Sequence, residues 1–178
     1  MKYYAVITGA SSGLGTEFAR TFAEKGLNVS KTTGDILGPC LFALFMGTTR
    51  VFYGVYRGKV SLSVFMLAGG ILAFTGYLFI ALPLGTAFGF IGCALTGLAV
   101  GIMWPGTLSL ASKAIPGGGT AMYSLLAFAG DIGCTLGPSV IGFAADMFGG
   151  NLSSGILVAS AFPLVLIICM IKRIGENK

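Results

Sequence analysis

The residues of this chain that could do chemistry fall into two groups. The first is a glycine-rich turn, Thr8-Gly-Ala-Ser-Ser-Gly-Leu-Gly15, between a short apolar run and an amphipathic stretch that ends at Gly26. In a strand, turn and helix context, Gly9, Gly13 and Gly15 would permit a tight turn and close backbone approach to a phosphate at a helix N-terminus. The second group is polar residues inside apolar sequence: Asp131, the Trp104-Pro105-Gly106 step and Arg50. An acid near the middle of a membrane helix is costly unless it faces water, a partner or a proton path. Asp131 is therefore either a substrate-facing or proton-coupling carboxylate, or a hydrogen-bonded or cation-paired acid between helices.

Proline removes a backbone hydrogen bond and clashes with the preceding turn, so Pro105 is expected to interrupt its helix. The freed carbonyls could line a cavity, as in discontinuous transporter helices, or the step could be a plain kink. Gly133, Gly137, Pro138 and Gly142 are small or helix-bending residues at a spacing that suits close helix packing. Arg50, inside one apolar stretch near its end, and Arg57 and Lys59, which follow it, would set topology. Cys40, Cys93, Cys134 and Cys169 are widely spaced and form no CxxC, and there is no histidine. No metal site is expected, and each cysteine reads as a small buried apolar residue.

The elements that must hold these residues are hydrophobic. Hydrophobic residues make up 55% of the 178-residue chain and charged residues 10%; the mean hydropathy is +0.91. A water-soluble surface cannot be built from that composition, so the chain reads as an integral membrane protein partnered by the lipid bilayer. The net charge of +5 does not indicate nucleic acid, because the basic residues are spread among apolar runs and form no stripe.

Crossing about 30 Å of hydrocarbon takes roughly 20 helical residues, and five stretches qualify: 34–56, 60–82, 84–112, 119–145 and 153–171. The breaks carry Arg57-Gly58-Lys59, Pro83, the segment 113–118 and the segment 146–151. Arg57 and Lys59 follow the first stretch, Lys113 the third, and Lys172, Arg173 and Lys178 the fifth; the loops after the second and fourth contain neither lysine nor arginine. By the enrichment of cytoplasmic loops in basic residues, this alternation puts the C-terminus in the cytoplasm of a multi-pass cell-membrane protein. An odd count then puts the opening segment on the outer face, the wrong side for a cytosolic enzyme.

That segment is neither a signal peptide nor a sixth span. Only a short apolar run precedes Thr8-Gly9, and Glu17, Arg20, Glu24 and Lys25 follow, each costing about 2.5 kcal/mol or more at a bilayer centre. Residues 1–29 resemble instead the first strand, cofactor loop and helix of the short-chain dehydrogenase/reductase family. The resemblance implies that Thr8, Gly9, Ser11, Ser12, Gly13 and Gly15 derive from an NAD(P)-binding loop. The family's Tyr-x-x-x-Lys is absent, since the residues four beyond Tyr53, Tyr56, Tyr77 and Tyr123 are Arg57, Val60, Ala81 and Ala127. One βα unit cannot bury its own apolar face or build a dinucleotide site. The loop therefore reads as vestigial, with no cofactor, no catalytic residue and no enzyme activity expected.

Residues from about 27 to 178 resemble the later part of the C-terminal half of a major facilitator superfamily transporter. The resemblance is carried by Lys31-Thr-Thr-Gly-Asp-Ile-Leu-Gly-Pro39, by Gly47-Thr-Thr-Arg50 leading to Tyr53-Gly-Val-Tyr-Arg-Gly-Lys59, and by Gly133-Cys-Thr-Leu-Gly-Pro138 leading to Gly142-Phe-Ala-Ala-Asp146. It implies that the five spans correspond to the eighth to twelfth helices of a twelve-helix transporter. The ninth and twelfth, here 60–82 and 153–171, would face lipid on the outside of the bundle, and both lack ionisable residues. The others, carrying Arg50, Trp104-Pro105-Gly106 and Asp131, would face the interface or the central cavity. The resemblance also implies a gating role for Arg50, Arg57 and Lys59 and for the glycine-proline pattern of Gly133, Gly137, Pro138 and Gly142, beside the readings as topology and packing residues.

The expected fold is thus mainly α: a polytopic bundle of five transmembrane helices over residues 30–178, after a short N-terminal βα unit over residues 1–29. The two resemblances meet at Lys25-Gly-Leu-Asn-Val-Ser-Lys31, which reads as the join of a chimera. The expected function is that of a fragment of a secondary active transporter of a small solute, inactive without its missing helices. A dehydrogenase relative reduced to its first βα unit and a small membrane-embedded partner protein are the alternatives.

Overall fold

The computed structural model describes residues 31–56 and 61–176. The expected βα unit with its glycine turn, and Arg57 and Lys59, lie outside the described residues. Those described form helices α1 (Lys31–Tyr56), α2 (Leu62–Ala81), α3 (Thr86–Ala114), α4 (Gly119–Met147), α5 (Leu152–Ala159) and α6 (Ala161–Glu176), with no strand among them. Five stretches are long and apolar enough to cross a membrane: Ile36–Tyr56, Leu62–Ala81, Ala87–Ala114, Gly119–Met147 and Leu152–Glu176.

Local chemistry marks the helix ends. The Ser61 hydroxyl accepts from the Val64 N–H at 3.4 Å, and Asn151 Oδ1 accepts from the Ser153 N–H at 3.1 Å; each occupies a donor that a first turn leaves open. After α4, Gly149 and Gly150 adopt φ of 71° and 81°, a region that favours glycine. Their N–H groups bond back to Asp146 O at 3.3 Å and Ala145 O at 2.9 Å, which closes the helix and turns the chain.

Two proline positions differ from the sequence reading. The expected single span 153–171 is two helices, parted at Ser160. Pro163 offers no N–H to the Ala159 carbonyl and its ring crowds that oxygen, while the Ser160 hydroxyl donates to Leu157 O at 2.6 Å. Conversely, α3 continues through Pro105 without interruption, so the expected break at Trp104-Pro105-Gly106 is a local gap in hydrogen bonding inside a continuous helix.

Close contacts define how the helices pair. A methyl group added at Gly76 would strike Thr96 and the Gly92 carbonyl, and one at Gly106 would strike Met66; this register makes α2 and α3 antiparallel. Gly97 lies against Phe42, and Gly101 against Met46 and Thr49, so α1 runs parallel to α3. Leu62 and Met66 share a buried cluster with Met170, and Ile80 shares another with Ile156, so α5 and α6 run antiparallel to α2. Gly155 sits on Ile141, which folds α4 back along α5. Small residues at such crossings let backbones approach where lipid gives no hydrophobic drive for helices to associate.

α2 is consequently central among the described helices, packed on α3 on one side and on α5 and α6 on the other. This corrects the expectation that 60–82 lies on the outside: glycines at 69, 70 and 76 admit neighbours on opposite sides. The α6 surface bearing Val165, Ile168 and Ile171 is exposed. Among the cysteines only Cys93 is buried; Cys40, Cys134 and Cys169 are exposed on outward faces, which corrects the expectation of burial for those three.

These directions bring the ends of α1, α3 and α6 to one end of the bundle. Lys113, Lys172 and Arg173 are there, whereas the α2–α3 and α4–α5 connections at the opposite end contain no lysine or arginine. Lys31, the first residue of α1, starts at that opposite end.

Candidate functional site

Two of the polar candidates, Trp104 and Asp131, lie near where α3 passes α4, Trp104 against Gly130. Asp131 lies midway along α4 and is exposed. At about 100° per residue, Thr120, Ser124, Thr135 and Ser139 fall on its side of the helix, and all are exposed. Three of these hydroxyls are held by their own backbone: Ser124 donates to Thr120 O at 2.9 Å, Thr135 to Ile132 O at 2.9 Å, and Ser139 to Thr135 O at 2.7 Å. That arrangement spares the helix an unsatisfied hydroxyl and leaves oxygen lone pairs directed outward.

α4 accordingly has three faces. Ile141, Ala144 and Ala145 are buried on its packed side, Leu125, Leu136 and Phe143 form an exposed apolar side, and the exposed Asp131 stripe carries Phe128 among its hydroxyls. α4 is also the least enclosed of the five spans. The helix with the mid-span acid is thus the open one among the described helices, while α2 has neighbours on two sides.

Trp104 packs on α4 one residue before Asp131, toward the packed side of the helix. A methyl group at Gly130 would lie 2.9 Å from Trp104 Cζ3 and 3.2 Å from Cη2, so the indole rests on the residue next to Asp131 because that residue has no side chain. Trp104 is 45% exposed, leaving part of the indole open. Pro105 follows on α3.

Arg50 belongs to a neighbouring contact, with its Nε donating to Gly101 O on α3 at 3.3 Å. Gly101 permits this approach, since a methyl group there would lie 2.7 Å from the Met46 carbonyl. The predicted packing glycines behave differently. Methyl groups at Gly133, Gly137 and Gly142 would meet nothing within 4 Å, and Pro138 sits inside unbroken α4. The tight crossings use Gly97 and Gly101 instead, and their Gly-x-x-x-Gly spacing was the sequence signal that could have found them.

A separate cavity of about 370 Å³ lies between α1, α2 and α3, with Phe52, Phe65, Leu72 and Leu98 in its wall. It is apolar and contains none of the charged candidates. Comparison with protein-family models finds none that matches the chain, and comparison with curated proteins finds no match either.

Proposed function

We propose that this chain is part of a secondary transporter for a small solute and that the α4 stripe lines its aqueous path. The observation carrying the reading is Asp131: a carboxyl group at mid-span, exposed on one side of α4 together with exposed hydroxyls. In hydrocarbon such a face is unfavourable; facing water or a hydrated partner helix, it supplies acceptors, a charge and an aromatic surface. Those groups suit a small polar or cationic solute or a transported proton.

On this reading Trp104 and Asp131 contact the solute, and further helices complete the path across from α4. The resemblance to the facilitator superfamily over residues 27–178 supports the same function. The basic residues at one end of the bundle support a multi-pass chain in the cell membrane with its C-terminus in the cytoplasm.

The test is thiol labelling of the chain in membranes, with its native cysteines replaced. Ser124→Cys, Thr135→Cys and Ser139→Cys should react with a water-soluble thiol reagent, while Leu125→Cys, Leu136→Cys and Phe143→Cys should not. Protection of all six positions would sink the aqueous path and leave the stripe as a contact between helices.

A further inference from the structure

The hydrogen bond between Arg50 and Gly101 coincides with the gap made by Pro105. In an α-helix the N–H of residue 105 would bond to the carbonyl of residue 101. Proline has no N–H, so the Gly101 carbonyl is the one Pro105 leaves without its intrahelical donor. That carbonyl receives the Arg50 Nε from the neighbouring helix at 3.3 Å. Gly101 also allows the approach, because Met46 O and Thr49 Cβ would lie 2.7 Å and 2.8 Å from any methyl group there.

We infer that Arg50 is a positioning residue that latches α1 to α3 by capping the carbonyl opened by Pro105. Within hydrocarbon an open carbonyl is costly, and prolines are tolerated in spans where a neighbour supplies the missing donor. A guanidinium is suited to this role because it stays charged and presents several N–H donors in a rigid fork. Without its intrahelical bond, α3 would be free to flex next to Trp104; the latch holds that turn, and so holds the indole against Gly130. This assignment goes beyond the proposed transport path and does not depend on it, since it requires only that α1 and α3 share a membrane.

The test is a double-mutant cycle on the purified full chain in nanodiscs, read by thermal unfolding and by the emission of Trp104, the single tryptophan. Arg50→Ala alone should lower the unfolding midpoint by roughly 4 °C and shift the Trp104 emission. In Pro105→Ala, the new N–H can take the Gly101 carbonyl, so adding Arg50→Ala should then change the midpoint by less than half as much and leave the emission at the Pro105→Ala value. Equal effects of Arg50→Ala in both backgrounds would overturn the latch, because an ordinary packing or charge role is indifferent to residue 105. If Arg50→Ala does not assemble, Arg50→Met, which keeps a long side chain but has no N–H donor, takes its place in the same cycle. Dependence on Pro105 then supports the latch, and independence overturns it.

Discussion

At the scale of single residues, Asp131 and Gly130 divide the work of one helical turn. Asp131 presents a carboxyl group on the exposed side of α4, and Gly130 makes room for Trp104 on the next face. A carboxylate in a narrow aqueous path concentrates cations. We therefore expect Asp131→Asn to slow labelling of Thr135→Cys by a cationic thiol reagent several-fold while hardly changing the rate with a neutral one; equal slowing of both would remove the charge from the argument. In a transporting assembly the same substitution should abolish uptake at unchanged membrane abundance, and normal uptake would remove Asp131 from the mechanism. Gly130→Ala puts a methyl group against the indole and should shift Trp104 emission at a stability cost of about 1–3 kcal/mol. Asp131 stood out in the sequence because ionisable residues are rare at mid-span. Gly130 did not, because its importance comes from a residue 26 positions away that only the crossing of α3 and α4 brings near.

At the scale of helices, size at the crossings decides which glycines matter. Gly97→Ala would place a methyl group on the Phe42 backbone and Gly101→Ala on that of Met46, and backbone cannot yield as a flexible side chain can. Each should cost about 1–3 kcal/mol, whereas Gly133→Ala and Gly137→Ala, whose methyl groups meet nothing, should be neutral or stabilising by up to about 1 kcal/mol through helix propensity. Thermal unfolding of the four variants in detergent checks this, and destabilisation by Gly133→Ala would show that another helix packs on that face. Hydropathy located all five spans within a few residues, because leaving water depends on composition and length. It could not say which faces meet. The run 153–171 hid the division at Ser160, since hydropathy does not register the N–H that Pro163 lacks. At Pro105 the reading erred the other way: the helix continues, and the open carbonyl is met by a donor from α1, a contact between residues 50 and 101 that local rules do not see.

At the scale of the whole molecule, the alternation of directions turns a scattered set of cations into a polar end. The register of α1 on α3 and of α2 against both α3 and α6 brings Lys113, Lys172 and Arg173 together on one side, and Arg50 lies in the half of α1 nearest that side. The opposite side has Lys31 at the start of α1 and no basic residue in its two helix connections. An orientation set by several loops is harder to invert than one set by a single loop, because each basic residue near a span end contributes separately to retention in the cytoplasm. A reporter fused after Lys178 should therefore be active only in the cytoplasmic form, and should stay so when Lys113 alone is replaced by Gln. Replacing Lys113, Lys172 and Arg173 together should yield a mixed population, with part of the reporter outside. Full retention in the cytoplasm after the triple replacement would mean that residues beyond these three dominate the orientation, with Arg57 and Lys59 the next to replace.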